Sequence, residues 1–201
     1  METAELRDGS TVTIRPIEPE DVDRIHEVWA GMSELSRRRR FLAPSNGRLD
    51  DADVHYLVDV DHRRHEALLA LDPDGRAVGV ARYVRPPGER ESAEVAVGVV
   101  DDWHSRGVAT ALLDRLTERA RENEIRRYTM IVSEDNDVVI GAIERAGARR
   151  TGATVEGEIE FEFDLPTEGV GERLQAALRA AATSPAGFLS WVLRLPPKWF
   201  S

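Results

Sequence analysis

The chain has 201 residues, of which 41% are hydrophobic and 32% charged, a composition typical of a globular protein with a sizeable core. Its net charge of −10 argues against nucleic-acid binding through bulk electrostatics, and its lack of cysteine excludes disulfides, thiolate metal ligands and a thiol nucleophile. No apolar run approaches the roughly 18 residues that span a bilayer, and the acidic N-terminus does not resemble a signal peptide. We therefore expect a cytoplasmic protein.

The first part of the chain predicts one strand followed by helices. Residues 11–15 alternate polar and apolar side chains, a pattern typical of a short strand. Pro19 suits a first helical turn, and an apolar stripe at helical spacing follows it from Val22 to Met32. A second short helix is predicted over residues 34–42, and a third begins near Asp50, a favourable N-cap.

Three apolar segments come next, at residues 67–71, 77–84 and 92–100. The first two are joined by an Asp-Pro-Asp-Gly turn and the last two by a Pro-Pro-Gly turn. Short turns between apolar strands predict an antiparallel meander.

The spacing of apolar residues then changes to that of a helix from Val108 to Ala120, followed by a strand over 128–132. Another helix ends at Gly147, and a last strand over 158–163 alternates glutamate with apolar residues. The strand–helix–strand passage predicts a parallel crossover. The expected fold is therefore α/β, with a mixed sheet that is antiparallel early and parallel in the middle.

Pro166 and Gly169 indicate a domain boundary. We expect a folded domain over residues 1–165 and a helical tail over residues 166–201 that is rich in large apolar side chains. Such a tail should be docked on the domain or on a partner subunit, so a homodimer formed through the tail is one expected arrangement. Contact between the tail and a membrane surface is the less favoured alternative.

The most informative segment is a loop that follows the strand ending near Val100 and leads into a helix. The amides of such a loop and of the helix N-terminus attract a pyrophosphate. Gly107 lets the backbone approach the phosphates, and the small Ala109 keeps that approach open. Ser105, Arg106 and Thr110 could add donors. The alternative is an ordinary strand-to-helix turn that happens to contain glycine.

This loop resembles motif A of the GNAT superfamily of N-acetyltransferases, whose pattern is Q/R-x-x-G-x-G/A. The match runs from His104, which replaces the usual glutamine or arginine, to Ala109. Asn136 stands at the corresponding start of the next helix, and Ala148 replaces the usual aromatic residue after Gly147. The resemblance covers about residues 10–164 and implies the GNAT fold, with a V-shaped splay in the sheet and helices on both faces. It also implies an acyl-CoA-dependent N-acyltransferase.

The resemblance implies how acetyl-CoA would bind as co-substrate. The backbone of Val97, Gly98 and Val99 would pair with the pantetheine amides like an added strand. Asn136 would meet the pantetheine arm or the thioester region, and no metal is implied. The residues expected to hold the pyrophosphate are Ser105, Arg106, Gly107, Val108, Ala109 and Thr110.

Glu94 is the candidate general base. An amine acceptor with a pKa near 10.4 is mostly protonated at neutral pH and must lose a proton before it attacks a thioester. Glu94 lies in an otherwise apolar strand, where burial would raise its pKa towards neutrality. The stretch is similar to the strand of histone-type and bacterial protein-lysine acetyltransferases in which a glutamate after alanine is the base. The alternative is a solvent-exposed glutamate beside Glu89 and Glu91.

Many GNAT enzymes use a tyrosine as acid seven residues after the helix-start asparagine, but that position is Ile143 here. Water is therefore expected to protonate the leaving thiolate. Residues 6–10, 14–17, 35–37 and 40–41 resemble the start of bacterial protein acetyltransferases, which implies a protein lysine as acceptor. A small-molecule amine N-acetyltransferase and a non-catalytic CoA-binding regulatory module stay open as alternatives.

Two other features are interpreted as structural. The arginine run at residues 37–40 is expected to be a solvated helix face near the acceptor groove rather than a nucleic-acid patch. His55, His62 and His65 lie at a spacing that could suit a metal, but no carboxylate motif accompanies them, so no metal site is expected.

Overall fold

The computed structural model describes residues 1–34, 36–37, 49, 51–155 and 157–166. Its centre is an eight-stranded sheet in the order β1-β2-β3-β4-β5-β6-β8-β7. The strands are β1 (Glu2–Glu5), β2 (Thr11–Pro16), β3 (His65–Leu71), β4 (Ala77–Val84), β5 (Ser92–Val99), β6 (Arg127–Ser133), β7 (Arg149–Arg150) and β8 (Glu158–Asp164).

Four α-helices lie wholly within the described ranges: α1 (Val22–Ala30), α2 (Asp51–Val58), α3 (Val108–Glu122) and α4 (Asp137–Ala146). They agree with the predicted helices to within a few residues. Most of the helix predicted over 34–42, and the tail predicted over 166–201 apart from Pro166, fall outside the described residues. Within the described ranges, no helix has the length and apolar character to cross a membrane.

The sheet is mixed, as predicted. Neighbouring strands from β1 to β5 pair antiparallel, and β5 and β6 run parallel because α3 connects them across the sheet. The parallel pairing joins Ser92, Ala93 and Glu94 of β5 to the first three residues of β6. Beyond Glu94 the two strands diverge, which is the expected V-shaped splay.

Helices cover both faces of β4 and β5. On one face Gly79 lies under α3, where an added Cβ would approach side-chain atoms of Leu112 and Val108 to 3.1 Å. On the other face Val80 and Arg82 line a small space together with residues of α1 and α2. The two apolar layers form the core, and each side chain of β5 faces one layer or the other by strict alternation.

Candidate active site

Glu94 lies at the vertex of the splay. It is the last β5 residue paired with β6, where it stands opposite Thr129, and it is half-buried. On its other side it stands opposite Val84, so its side chain shares the sheet face of Arg82 and the helices α1 and α2. The Glu94 side chain is thus less buried than its apolar strand predicted. It is also less exposed than in the alternative, in which it is a solvent-exposed glutamate.

The splay leaves one edge of β5 open beyond Glu94. The amide of Val100 donates to the Val78 carbonyl on β4 at 3.0 Å. Because backbone groups of successive residues point to opposite sides of a strand, Gly98 also directs its groups at β4, whereas Val97 and Val99 direct theirs away from β4. The open edge therefore carries the backbone groups of Val97 and Val99, two of the three residues predicted to meet pantetheine.

The side chain of His104 forms a hydrogen bond with one of these backbone groups, the Val99 carbonyl. Its Nε2 lies 3.0 Å from the Val99 carbonyl oxygen and 3.5 Å from Oδ1 of Asp101. Burial lowers the pKa of His104, although the Val99 carbonyl and the acids Asp101 and Asp102 oppose that effect. The imidazole is therefore neutral at pH 7, and because a carbonyl only accepts, the proton lies on Nε2.

The predicted phosphate loop has the backbone that its sequence implies. Gly107 adopts φ 107° at the N-cap of α3, a conformation that favours glycine, and Ser105 adopts φ 63°. The first amides of α3, from Val108 to Thr110, lie at a helix N-terminus, where they have no carbonyl partner within the helix. These donors suit a pyrophosphate.

The side chain of Arg106 is held beside this loop. Its guanidinium carbon lies 4.7 Å from the centre of the Trp103 ring, and its Nη1 lies 3.6 Å from Asp8. The Arg106 carbonyl also accepts a hydrogen bond from the Arg7 amide at 3.0 Å. The β1–β2 turn thus supports the loop, and a contact between Arg106 and phosphate stays a prediction.

The two predicted positions on α4 are both enclosed. Asn136 occupies the N-cap position of α4 and is 2% exposed, and its contact with acetyl-CoA stays a prediction. Ile143, at the position of the tyrosine acid, is 1% exposed in the core. An apolar, enclosed side chain supplies no proton to a leaving thiolate.

Tyr56 is a candidate site residue that the sequence reasoning missed. The chain has three tyrosines, and the register places Tyr83 opposite Val95 and Tyr128 opposite Ala93, on the face away from Glu94. Tyr56 on α2 is half-buried on the face of Glu94. Burial raises its pKa, the charge of Arg82 lowers it, and the charge of Glu94 raises it further. No local sequence pattern predicts this neighbourhood, because it arises when α2 folds over the sheet.

Arg82 and His65 form a second group that sequence reasoning did not identify. Arg82 is fully buried, and its guanidinium lies 3.0 Å from both His65 Nε2 and the Leu57 carbonyl oxygen. Burial lowers the pKa of Arg82 to about 10. Burial and the charge of Arg82 lower the pKa of His65 to about 3. At neutral pH the arginine is thus charged and the histidine neutral. The sequence feature that could have identified this group is an arginine inside the otherwise apolar run of β4.

His62 makes a different contact, with the carboxylate of Glu66. His62 places its Nδ1 2.7 Å from Oε1 of Glu66, whose side chain is fully buried next in the chain to His65. In the described ranges no three side chains of metal-binding type come together.

Arg37 is the described member of the arginine run. Its side chain donates a hydrogen bond to the Trp29 carbonyl, and its guanidinium carbon lies 5.1 Å from the centre of the Trp29 ring.

Comparison with known proteins places this geometry in a family. Residues 29–148 match the acetyltransferase (GNAT) family. An acetyltransferase of Pseudomonas aeruginosa is 32% identical over 137 residues, which cover 65% of this chain and 71% of that protein. The acetyltransferase Pat of Mycolicibacterium smegmatis is 30% identical over 163 residues, which cover 81% of this chain and 48% of that protein. This chain thus spans about half the length of Pat.

The fold agrees with the same relatives. The crystal structure of the GNAT domain of S. lividans PAT superposes with a TM-score of 0.73 at 33% identity, covering 82% of this chain and 96% of that domain. The expected resemblance to bacterial protein acetyltransferases is therefore confirmed. This chain belongs to the GNAT acetyltransferase family and is an acyl-CoA-dependent N-acyltransferase.

Proposed function

We propose that this chain transfers an acetyl group from acetyl-CoA to an amine, a protein lysine, by direct attack in a ternary complex with Glu94 as general base. One observation carries the proposal. Glu94 lies where β5 and β6 diverge, and the open edge of β5 begins directly beyond it. A base at the vertex of the splay can reach an amine that approaches a thioester held along that edge.

Acetyl-CoA fits the residues around this edge. Its pantetheine amides would pair with the backbone of Val97 and with the amide of Val99, and Gly98 would leave space above the strand. Its pyrophosphate would lie on the loop and helix start at residues 105–110. Asn136 would stand on the far side of the splay, near the pantetheine arm.

The reaction then needs few protein groups. The carboxylate of Glu94 takes a proton from the ammonium group of the acceptor, directly or through water. The amine nitrogen attacks the thioester carbonyl carbon, the C–N bond forms, and the C–S bond breaks with loss of the second nitrogen proton to water. The CoA thiolate takes a proton from water, because Ile143 offers none. The chain has no cysteine that could form a covalent acyl intermediate.

A protein lysine is the favoured acceptor because the relatives at 30% identity or more include Pat and the PAT domain. A small-molecule amine is the second candidate. A cytoplasmic location and a homodimer formed through the residues after Pro166 stay predictions alongside it.

The test is thiol release from acetyl-CoA in the presence of lysine peptides, whole proteins and small amines, together with calorimetric titration of CoA. Glu94→Gln should lower kcat by about 100-fold or more, as for loss of a general base, and leave the CoA affinity unchanged. Glu89→Gln, at an exposed site before the same strand, is the matched control. Equal turnover in Glu94→Gln would remove Glu94 from the role, and CoA binding without acetylation of any acceptor would overturn the proposal.

A further inference from the structure

The end of α1 is packed tightly against the end of β5. Gly31, the C-cap of α1, has no space for a side chain, because an added Cβ would lie 2.6 Å from Cγ1 of Val100. The Gly31 carbonyl also accepts a hydrogen bond from the Asp101 amide at 2.9 Å. The chain after α1 therefore begins directly beside the turn Asp101–Trp103, which leads from β5 to the phosphate loop.

The carboxylate of Asp101 contacts the beginning of the next helix. That helix begins at Glu34, and the Arg37 amide donates to the Ser33 carbonyl at 2.9 Å; residues 33, 34, 36 and 37 form the helix start. The Ser33 amide donates to Oδ2 of Asp101 at 3.2 Å, and the Ser36 hydroxyl donates to Oδ1 at 2.9 Å. A carboxylate is a favourable partner at this position, because the first amides of a helix have no carbonyl partner within it.

The same residue contacts His104, at which the match to motif A begins. Oδ1 of Asp101 lies 3.5 Å from Nε2 of His104, the atom that also lies 3.0 Å from the Val99 carbonyl oxygen. In the main chain, the His104 amide donates to the Asp101 carbonyl at 3.1 Å. Asp101 thus joins the helix start to the segment that leads into the phosphate loop.

The helix start borders the side of the cleft from which the acceptor would approach. Glu94 and Gly98 lie on one face of β5, because they are an even number of residues apart. Val80 stands opposite Gly98 and lines a small space together with Trp29 and Met32. In the proposed reaction the base lies on this face, so the amine reaches the thioester from this face. The chain that follows Met32 is therefore on the acceptor side.

We propose that Asp101 is a positioning residue that couples the two substrates: through Ser33 and Ser36 it holds the helix start in the place that bound CoA fixes through the loop at His104. CoA binding should therefore order the helix start, and the acceptor should bind more tightly once CoA is in place. The statement about the acceptor rests on the proposed function. The coupling acts in both directions, because a linkage between two binding free energies is reciprocal.

Asp102 provides the matched control. It is exposed in the same short turn, and its charge, like that of Asp101, acts to raise the pKa of His104. Among the described residues, its carboxylate makes no hydrogen bond to the helix start. Asp102→Ala thus removes an equal charge one residue away and leaves the contacts with Ser33 and Ser36 in place.

Amide hydrogen exchange of the full chain, with and without saturating CoA, tests the coupling. In the wild type, CoA should slow exchange in the loop at residues 105–110 and also in the peptide of residues 29–37, there by about fivefold or more. Asp101→Ala should lose the slowing at 29–37 and keep it at 105–110, and Asp102→Ala should behave like the wild type. A merely structural role would change exchange in the free protein but not its response to CoA.

Two further variants keep the test sharp. If Asp101→Ala does not fold, Asp101→Asn replaces it, because asparagine has the same shape but offers one side-chain acceptor to the two donors. Ser36→Ala combined with Asp101→Asn forms a double-mutant cycle, in which the two losses of CoA-dependent slowing should not add, since both remove the same contact.

The kinetic consequence is a split between KM and kcat. With an acceptor peptide, Asp101→Ala should raise the acceptor KM about fivefold or more and leave kcat nearly unchanged. Slowing at 29–37 that persists in Asp101→Ala, or that is absent from the wild type, would overturn the inference. The exchange measurement needs no acetyl transfer, so its outcome is distinguishable from CoA binding without acetylation of any acceptor, which would overturn the proposed function.

Discussion

The Nε2 atom of His104 lies 3.0 Å from the carbonyl oxygen of Val99. His104 replaces the usual glutamine or arginine of motif A, and its side chain thus hydrogen-bonds to a backbone carbonyl at the end of β5. The residue before this contact, Gly98, directs its groups at β4, and Val97 keeps both of its groups on the open edge. The imidazole therefore defines where that edge ends and where the phosphate loop begins.

Removal of this imidazole should loosen the loop. His104→Ala leaves the Val99 carbonyl without its donor, which should cost about 1 kcal/mol in the free energy of unfolding. It should also weaken CoA binding several-fold, because the loop loses its anchor. His104→Gln, which restores the usual residue of the motif and can donate from its side-chain amide, should keep both properties. Urea unfolding and calorimetric titration of CoA measure the two effects, and full CoA affinity in His104→Ala would show that the contact does not order the loop.

Gly107 should matter through its backbone conformation. At φ 107° an alanine is strained, although the atoms nearest to its Cβ, in the side chain and backbone of Arg7, lie at ordinary contact distances of 3.6–3.9 Å. Gly107→Ala should therefore destabilise the chain by about 1 kcal/mol and weaken CoA binding as the loop shifts. Gly75→Ala introduces the same strain at φ 80° in the β3–β4 turn and is the control. If both variants lose stability but neither loses CoA affinity, the loop does not hold the pyrophosphate.

The strand order could be predicted from sequence where the apolar spacing was strong. The meander β3–β5 and the crossover through α3 follow from apolar runs of five or more residues and from short turns. The strands β1 and β7 were not predicted, since their four and two residues carry no apolar alternation.

The residues of the candidate site also divide into those that the sequence could predict and those that it could not. Glu94 and the loop at Gly107 could be predicted, because each is carried by contiguous residues that resemble a family pattern. Tyr56, His65 and Arg82 could not be predicted, because their relationship depends on the register of three strands and on the packing of α2 across them. Contacts between segments distant in sequence leave no local spacing to detect.

The start of α1 should lose stability in acid through Asp21. Its carboxylate accepts two hydrogen bonds from Arg15 at 2.6 Å and one from the Glu18 amide at 2.8 Å. Burial acts to raise the pKa of Asp21, but these bonds outweigh it and leave the pKa below its ordinary value. A lowered folded pKa contributes stability above the unfolded value, near 3.9, that is lost as the pH falls through the folded value.

Asp21→Asn should therefore destabilise the chain at pH 7 by roughly 1–3 kcal/mol, as for loss of a charged hydrogen-bond acceptor. The difference from wild type should shrink below about pH 4. Asp23→Asn changes an exposed carboxylate in the same helical turn and is the control. Denaturant unfolding at several pH values measures the difference, and a pH-independent loss would assign the effect to shape rather than charge.

His65 should make the fold sensitive to mild acid. Its folded pKa of about 3 lies below the ordinary 6.5, so between these values the unfolded chain binds a proton that the folded chain excludes. Stability should therefore fall as the pH drops from 6.5, with a slope of up to about 1.4 kcal/mol per pH unit from this group. His65→Gln can still accept from Arg82 through its amide oxygen and should remove that slope. His55→Gln, at an exposed position on α2, controls for the loss of one histidine. A wild-type slope that persists unchanged in His65→Gln would show that burial and the charge of Arg82 do not keep this imidazole neutral, and the pairing of a neutral histidine with a buried cation would have to be abandoned.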